Sequence, residues 1–477
     1  MAEQLGYDKT SATSIFKYSQ RLIGHSLLEI VGEDTIKSSN LQGQGKGGLG
    51  QMVEELFFHY KVNSDPGPDF REAGLELKDT GLKRLKNGEL QIKERLVCDM
   101  IDYEKVINEP FDKSLFYIKC RLMLILFYLY EKNVNKWDLK FIYSVLWQLP
   151  EKDLLIIKHD FETIINKIRN GEAHLLSEGD TEYLGACRKG QKDDKLRKQP
   201  FSNILAPKRA FSLKPAYMRT VLEYIKQQQK TAVSNVNIKT TSAEIISKDE
   251  LAHSSFEQII IDRFKPYYGL NYLEICDKLG IKPSNAKNRT AIVANLIASN
   301  GKQNLKQNNV DNSEEFQKSG IRLKTLSAFS NGRIKEDTSF ENIDYEEIYT
   351  NDDWYESRLY EIFTSRFLFV QFQQPEGKNQ SEFDINELQL KRVFFWTMPP
   401  KDIDTAEEYW KNIRKHILNN EIAPKYFWNK KMHNKFHVRP KGRNALDLTP
   451  NPNGGMARKY CYWFNSEYVT DIIKTSK

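Results

Sequence analysis

Cysteine is scarce. The chain of 477 residues has five, Cys98, Cys120, Cys187, Cys276 and Cys461, and no two form a C-x-x-C pair. Neither a zinc ribbon nor a disulfide framework is therefore expected, and a reducing, cytoplasmic location fits best. Long hydrophobic runs are also missing. The longest, LMLILFYLY, spans only residues 122 to 130, against about 20 residues needed to cross a bilayer. It reads as a buried strand, and no membrane partner is expected. The opening MAEQLGYDKT has no basic-then-apolar signal. Histidine is rare. His433 and His437 have i, i+4 spacing but no H-E-x-x-H pattern, so they read as two surface histidines.

What is present is ordinary globular material, 40% hydrophobic and 12% aromatic. At roughly 100 to 200 residues per domain, two or three domains are expected. The net charge of +7 permits a nucleic-acid partner without requiring one. Helical spacing of apolar residues marks 14–31, 51–60, 151–170 and 215–230, and strand-like stretches fall between them. Residues 231–250 are polar and aperiodic and read as a linker. GKGGLG at 45–50 matches G-x-G-x-x-G, but no strand precedes it and DPGPD follows. A dinucleotide site is set aside. Lys195, Arg197 and Lys198 read as a solvated basic loop.

The second half answers the first in order. SLLEIVGEDTIKSSN (26–40) pairs with NYLEICDKLGIKPSN (271–285). DFREAGLELKDT (69–80) pairs with EFQKSGIRLKTL (315–326), and TEYLGACRKG (181–190) with NKFHVRPKG (434–442). Two copies of one fold are expected. In this alignment Glu54 faces Ala294, Asp69 faces Glu315, Glu76 faces Arg322 and Lys78 faces Lys324. The acids differ as a set, while the apolar positions of the strand persist.

PDFREAGLELK (68–78) is the focus. Leu75 and Leu77 alternate with Glu76 and Lys78, so in a strand the charged pair shares one face. If the strand pairs with the segment at Asp69, two carboxylates and an ammonium converge. That grouping can hold a divalent metal and orient a water beside a phosphate. The plain alternative is a solvated charge pair.

Together with Gly50-x-x-x-Glu54, PDF, GLELK, RNGEAHLLSEGDTEYL and RAFSLK, these residues resemble the MutH-type endonuclease family. It contains a mismatch-repair nicking enzyme and two-domain type II restriction endonucleases that cut at GATC. The resemblance covers most of 14–225 and, more weakly, 255–475; the length matches the restriction enzymes. It implies a mixed α/β fold, a tandem duplication of the PD-(D/E)xK nuclease core with a catalytically decayed second copy. The implied parts are a catalytic domain at 1–230, a linker at 231–252 and a DNA-binding regulatory domain at 253–477. Glu54, Asp69, Glu76 and the Leu77 carbonyl are implied Mg2+ ligands. Lys78 is the motif lysine, and Lys119, with Lys113 as its rival, is a further catalytic lysine. Arg188, Lys189, Arg209, Ser212 and Lys214, with Arg439 and Lys441 in the second copy, are implied DNA contacts. Cys187-Arg188-Lys189 departs from the repair enzyme's Arg-Pro-Lys, which Arg439-Pro440-Lys441 keeps, and Ser212 replaces a tyrosine.

The implied activity is Mg2+-dependent cleavage of duplex DNA at GATC, before the G, with the C-terminal half binding DNA, a second site included, and regulating the cut. A non-cleaving DNA-binding protein and a methylation-directed GATC nickase are the alternatives. One active site facing two strands requires a DNA-dependent dimer or sequential cuts.

Overall fold

The computed structural model describes residues 5–39, 48–60, 66–85, 88–190, 195–230, 242–302, 305 and 309–476. Most of the Gly-rich loop and residues 231–241 of the expected linker lie outside the described residues. The chain divides into two compact units, Met1–Thr241 and Ser242–Lys477.

In the first unit β1 (Glu76–Arg84), β2 (Leu90–Ile92), β3 (Leu96–Met100), β4 (Leu122–Leu129) and β5 (Phe141–Gln148) come first. They are followed by β6 (Leu184–Arg188), β7 (Arg197–Gln199), β8 (Ser202–Ala206) and β9 (Arg209–Leu213). One mixed sheet has the order β2-β1-β4-β5, with β1 parallel to β4 and the other pairs antiparallel. The apolar run forms β4. Its residues Met123 to Phe127 are fully buried because strands flank it on both sides. A second sheet has the order β3-β9-β6, and β7-β8 is a hairpin.

The helix Glu151–Arg169 turns Ile157, Phe161, Ile164 and Ile168 inward at helical spacing. The helix Pro215–Lys230 has the bounds read from its sequence pattern. The expected helix at 14–31 breaks into Ala12–Ser19 and Leu27–Val31. Gly24 lies between them at φ +86°, and Ser26 with Glu29 makes a capping box that starts the second piece.

The second unit contains β10 (Arg322–Ala328), β11 (Thr338–Asn342), β12 (Phe367–Gln373), β13 (Gln389–Trp396) and β14 (Phe436–Pro440). β15 (Leu448–Pro450), β16 (Met456–Arg458) and β17 (Tyr460–Phe464) complete it. β10 is parallel to β12 and β12 antiparallel to β13, while β11-β17-β14 forms a second sheet. Arg322 pairs with Phe367 as Glu76 pairs with Met123.

The expected linker reaches too far. Ile245 and Ile246 are buried in the core of the second unit, and a capped helix starts at Lys248. Two apolar residues in a polar stretch carry too little periodicity to be read as core. Among the described residues no helix is long and apolar enough to cross a membrane.

Candidate active site

The chain turns sharply before β1. Phe70 and Leu75 exchange two backbone hydrogen bonds, 2.9 and 3.1 Å, and Gly74 takes φ +60° at the bend. Phe70 is fully buried with its ring edge-on to Phe58 at 5.0 Å, so it anchors the turn. Asp69 is thereby folded back onto β1. Its Oδ2 accepts the Leu77 N–H at 2.8 Å, and its own N–H donates to Glu76 Oε2 at 3.2 Å. Lys78 Nζ donates to Glu76 Oε1 at 2.7 Å. Leu75 and Leu77 pack into the core behind them. The two carboxylates and the ammonium do converge, for the alternation reason read from the sequence.

Glu54 sits on the turn Val53–Phe57, a π-helical step after the helix Gly48–Met52. Such steps recur at functional sites. Burial, then the nearby Asp69 and Glu76 carboxylates, pushes its pKa up to about 8. Glu76 is also raised, by burial first, with Lys78 opposing and Asp69 adding. Burial works against the Lys78 ammonium, but the Glu76 carboxylate outweighs it and the Lys78 pKa rises. Lys119 reaches Asp99 at 3.5 Å and adds to the positive field at Glu76. Its rival Lys113 is exposed on the turn Phe111–Lys113.

Sequence reading missed two acids here. Asp99 is the partner of Lys119. Asp79, on the same face of β1 as Leu77, is pushed up to about 7 by burial and then by Glu94. A Cβ on Gly50 would come 2.5 Å from Asp79 Oδ1, so glycine permits the helix bearing Glu54 to lie against β1. Gly50 spacing was the only signal available for this.

Among the described residues no group of three or more His, Cys, Asp or Glu side chains forms a ready metal cage. The donor chemistry nevertheless fits a hard cation. Mg2+ is commonly held by one or two carboxylates and keeps several waters. Asp69 and Glu76 offer two carboxylates, and Glu54, raised first by burial and then by those two acids, stands close to both.

The equivalent place in the second unit differs. Asp311 Oδ1 accepts the Leu323 N–H at 3.1 Å, the bond that Asp69 makes to Leu77. Asp311 is therefore the counterpart of Asp69, and the pairing with Glu315 is corrected. Glu315 is buried and accepts the N–H groups of Ile245 and Ile246. Arg322, where Glu76 stands in β1, pairs with Glu341 at 2.7 Å. Lys324 Nζ donates to the Ser339 carbonyl at 3.0 Å, and burial lowers its pKa. Asp311, Lys324 and Arg289 line a cavity of about 1160 Å³.

The expected DNA contacts divide. Arg188 ends β6, with Lys189 following it. Arg209, Ser212 and Lys214 are buried. The Arg209 guanidinium donates to the Ala186 carbonyl at 2.6 Å and to that of Leu176. Lys214 donates to the Thr181 carbonyl. These cations support their own domain, which removes them from the exposed contacts, and inward-facing Ser212 goes with them. In the second unit Arg439 stays about half exposed over the Trp463 ring, 4.8 Å away, and Lys441 bonds Ser339 Oγ at 2.9 Å. His437 is not a surface histidine. It is fully buried on β14 against Trp463, and burial lowers its pKa to about 4. Lys195, Arg197 and Lys198 belong to the β7–β8 hairpin and its approach, with exposed side chains.

The mixed sheet thus brings two acids and a lysine together on β1, a strand parallel to its neighbour β4. Residues 58–160 match the family of the DNA mismatch repair enzyme MutH. The chain is 33% identical, over 511 aligned positions, to the type II restriction enzyme Sau3AI of Staphylococcus aureus, covering 97% of this chain and 98% of that enzyme. It belongs to this MutH-type family of type II restriction enzymes.

Proposed function

We propose that the first unit hydrolyses phosphodiester bonds of duplex DNA at GATC, before the G, with Mg2+. The observation that supports this best is Asp69 folded onto the Leu77 amide beside Glu76 and Lys78. Asp69, Glu76 and the Leu77 carbonyl would hold the metal, with Glu54 beside them. When bound, it supplies positive charge for the phosphate and lowers the pKa of a water. Lys78, held on Glu76 Oε1, would orient or deprotonate the attacking water, or stabilise the developing charge. Lys119 adds a second positive group on the phosphate side. Arg188 and Lys189 contact DNA, and Arg439 and Lys441 do so in the second unit.

The second unit is a tandem copy that binds DNA and regulates cleavage without cutting. The shared strand pairing supports duplication, and Arg322 and Ala294 in the places of Glu76 and Glu54 support loss of catalysis. A supercoiled plasmid carrying GATC sites is expected to be cut to linear fragments ending at GATC in Mg2+. With EDTA, or without sites, it should stay intact. Nicked circles as the only product would favour the nickase, and a mobility shift without cutting the binding-only reading.

Glu54 also sets a pH dependence. Its carboxyl keeps its proton to about pH 8 in the folded chain and to about 4.5 in the unfolded one. Its contribution to stability is full below pH 4.5 and is lost as pH rises through 8. Glu54→Gln is expected to raise the thermal midpoint of the metal-free protein at pH 9 and leave it unchanged at pH 4. Equal midpoints at pH 9 would count against the buried-acid account.

A further inference from the structure

The β7–β8 hairpin carries a surface that the cleavage reading does not use. It leaves Phe201 74%, Ile204 55% and Leu205 46% exposed. Lys195, Arg197, Lys198 and Lys208 stand exposed among them, and no acid occurs from 195 to 208. The base of the hairpin is held firmly. Gln199 is buried; its Oε1 accepts the Ala173 N–H at 2.7 Å, and its amide donates to the Ile204 carbonyl at 2.6 Å. The Lys189 N–H donates to the Lys208 carbonyl at 2.8 Å where the hairpin leaves β6 and β9.

Phe201 has φ +60° and follows Pro200. Proline followed by a positive φ is the type II turn arrangement, whose second central position favours glycine. A bulky aromatic there is strained. Stability alone would select neither that backbone nor an aromatic ring in water. A partner that takes up the ring and pairs with the cations accounts for both.

We propose that this hairpin is a DNA wedge. Lys195, Arg197, Lys198 and Lys208 bind backbone phosphates, and Phe201 inserts against a base step and partly unstacks it. The inference rests on the DNA-cleavage reading of the first unit. An apolar protein surface would leave four cations unmatched, whereas DNA uses both features. The hairpin also grows from the strand end that carries Arg188 and Lys189. In the second unit the β15–β16 hairpin, in the same topological place, exposes Met456 (59%) at the start of β16.

The test uses the full chain in EDTA and a series of GATC duplexes with 2-aminopurine moved through the site and its flanks. Wild type is expected to raise emission at one step. Phe201→Ala should abolish that rise and weaken binding about tenfold, within what one aromatic stacked on a base contributes. Phe201→Gly should lose the rise while raising the thermal midpoint, which a purely structural phenylalanine would not do. Phe201→Trp should keep the rise. Unchanged emission and affinity in Phe201→Ala, with plasmid still cut at GATC, overturn the wedge and leave the nuclease standing. A wild type that neither binds nor cuts overturns both. A Phe201→Ala variant that loses only a dimer in sedimentation makes the hairpin a contact between two copies and overturns the wedge.

Discussion

Glu76→Ala is expected to lower the single-turnover rate of GATC cleavage by at least about 10³-fold, a barrier increase of ~4 kcal/mol. Three functions meet on this carboxylate. It is a proposed metal ligand, it accepts the Lys78 ammonium at 2.7 Å, and it accepts the Asp69 N–H at 3.2 Å. Its loss removes a cation ligand and frees Lys78 to swing away, so the two effects are not separable by this variant alone. Glu76→Gln keeps the shape and one of the two acceptor oxygens but not the charge. It should be nearly as slow, because a hard cation requires the anionic oxygen. DNA binding in EDTA should stay within a few-fold of wild type. Cutting by Glu76→Ala at close to the wild-type rate would remove Glu76 from the site.

The largest expected stability effect lies away from the chemistry. Asp160 is fully buried on the helix Glu151–Arg169 and accepts three backbone N–H groups, those of Glu182 at 2.7 Å, Tyr183 at 2.7 Å and Leu184 at 2.9 Å. Asp160→Ala strands all three. Each unsatisfied buried group costs about 1–3 kcal/mol, and removing one partner of a buried charged network commonly costs ~3–5 kcal/mol. Urea unfolding of the full chain should show the transition of the first unit shifted by about that amount, with that of the second unit unmoved. Asp160→Asn keeps one acceptor oxygen and should cost less. A shift below ~1 kcal/mol would mean that the loop finds other partners. The effect reaches function because Leu184 begins β6, the strand that ends at Arg188. Lys214, buried beside this network with its Nζ on the Thr181 carbonyl, belongs to the same support.

Much of the candidate site's geometry was legible because its signal is local. Alternation along 75–78 places Glu76 and Lys78 on one face whatever the rest of the chain does. Glycine at 74 and proline at 68 mark the turn that returns Asp69 to the strand. The helices Glu151–Arg169 and Pro215–Lys230 were readable for the same reason, since their apolar spacing is internal to each segment. The DNA-contact set was less legible. Arg209 and Lys214 look like surface cations in sequence, and only the carbonyls of Leu176, Ala186 and Thr181, more than twenty residues away, show that they face inward.

The sequence by itself determined the order of the chemistry. Acids and lysine stand at D-x6-E-x-K, and in the order of segments that suggests a second copy Arg322 falls opposite Glu76. Tertiary structure alone decided which groups meet. It put Asp311, not Glu315, on the Leu323 amide, buried His437, and held a strained Phe201 at the tip of a basic hairpin. The physical reason is range. Strand alternation and helical period are fixed by a residue's own neighbours. Burial of a charge, and the carboxylate that captures a given amide, depend on segments brought together only when the sheets close.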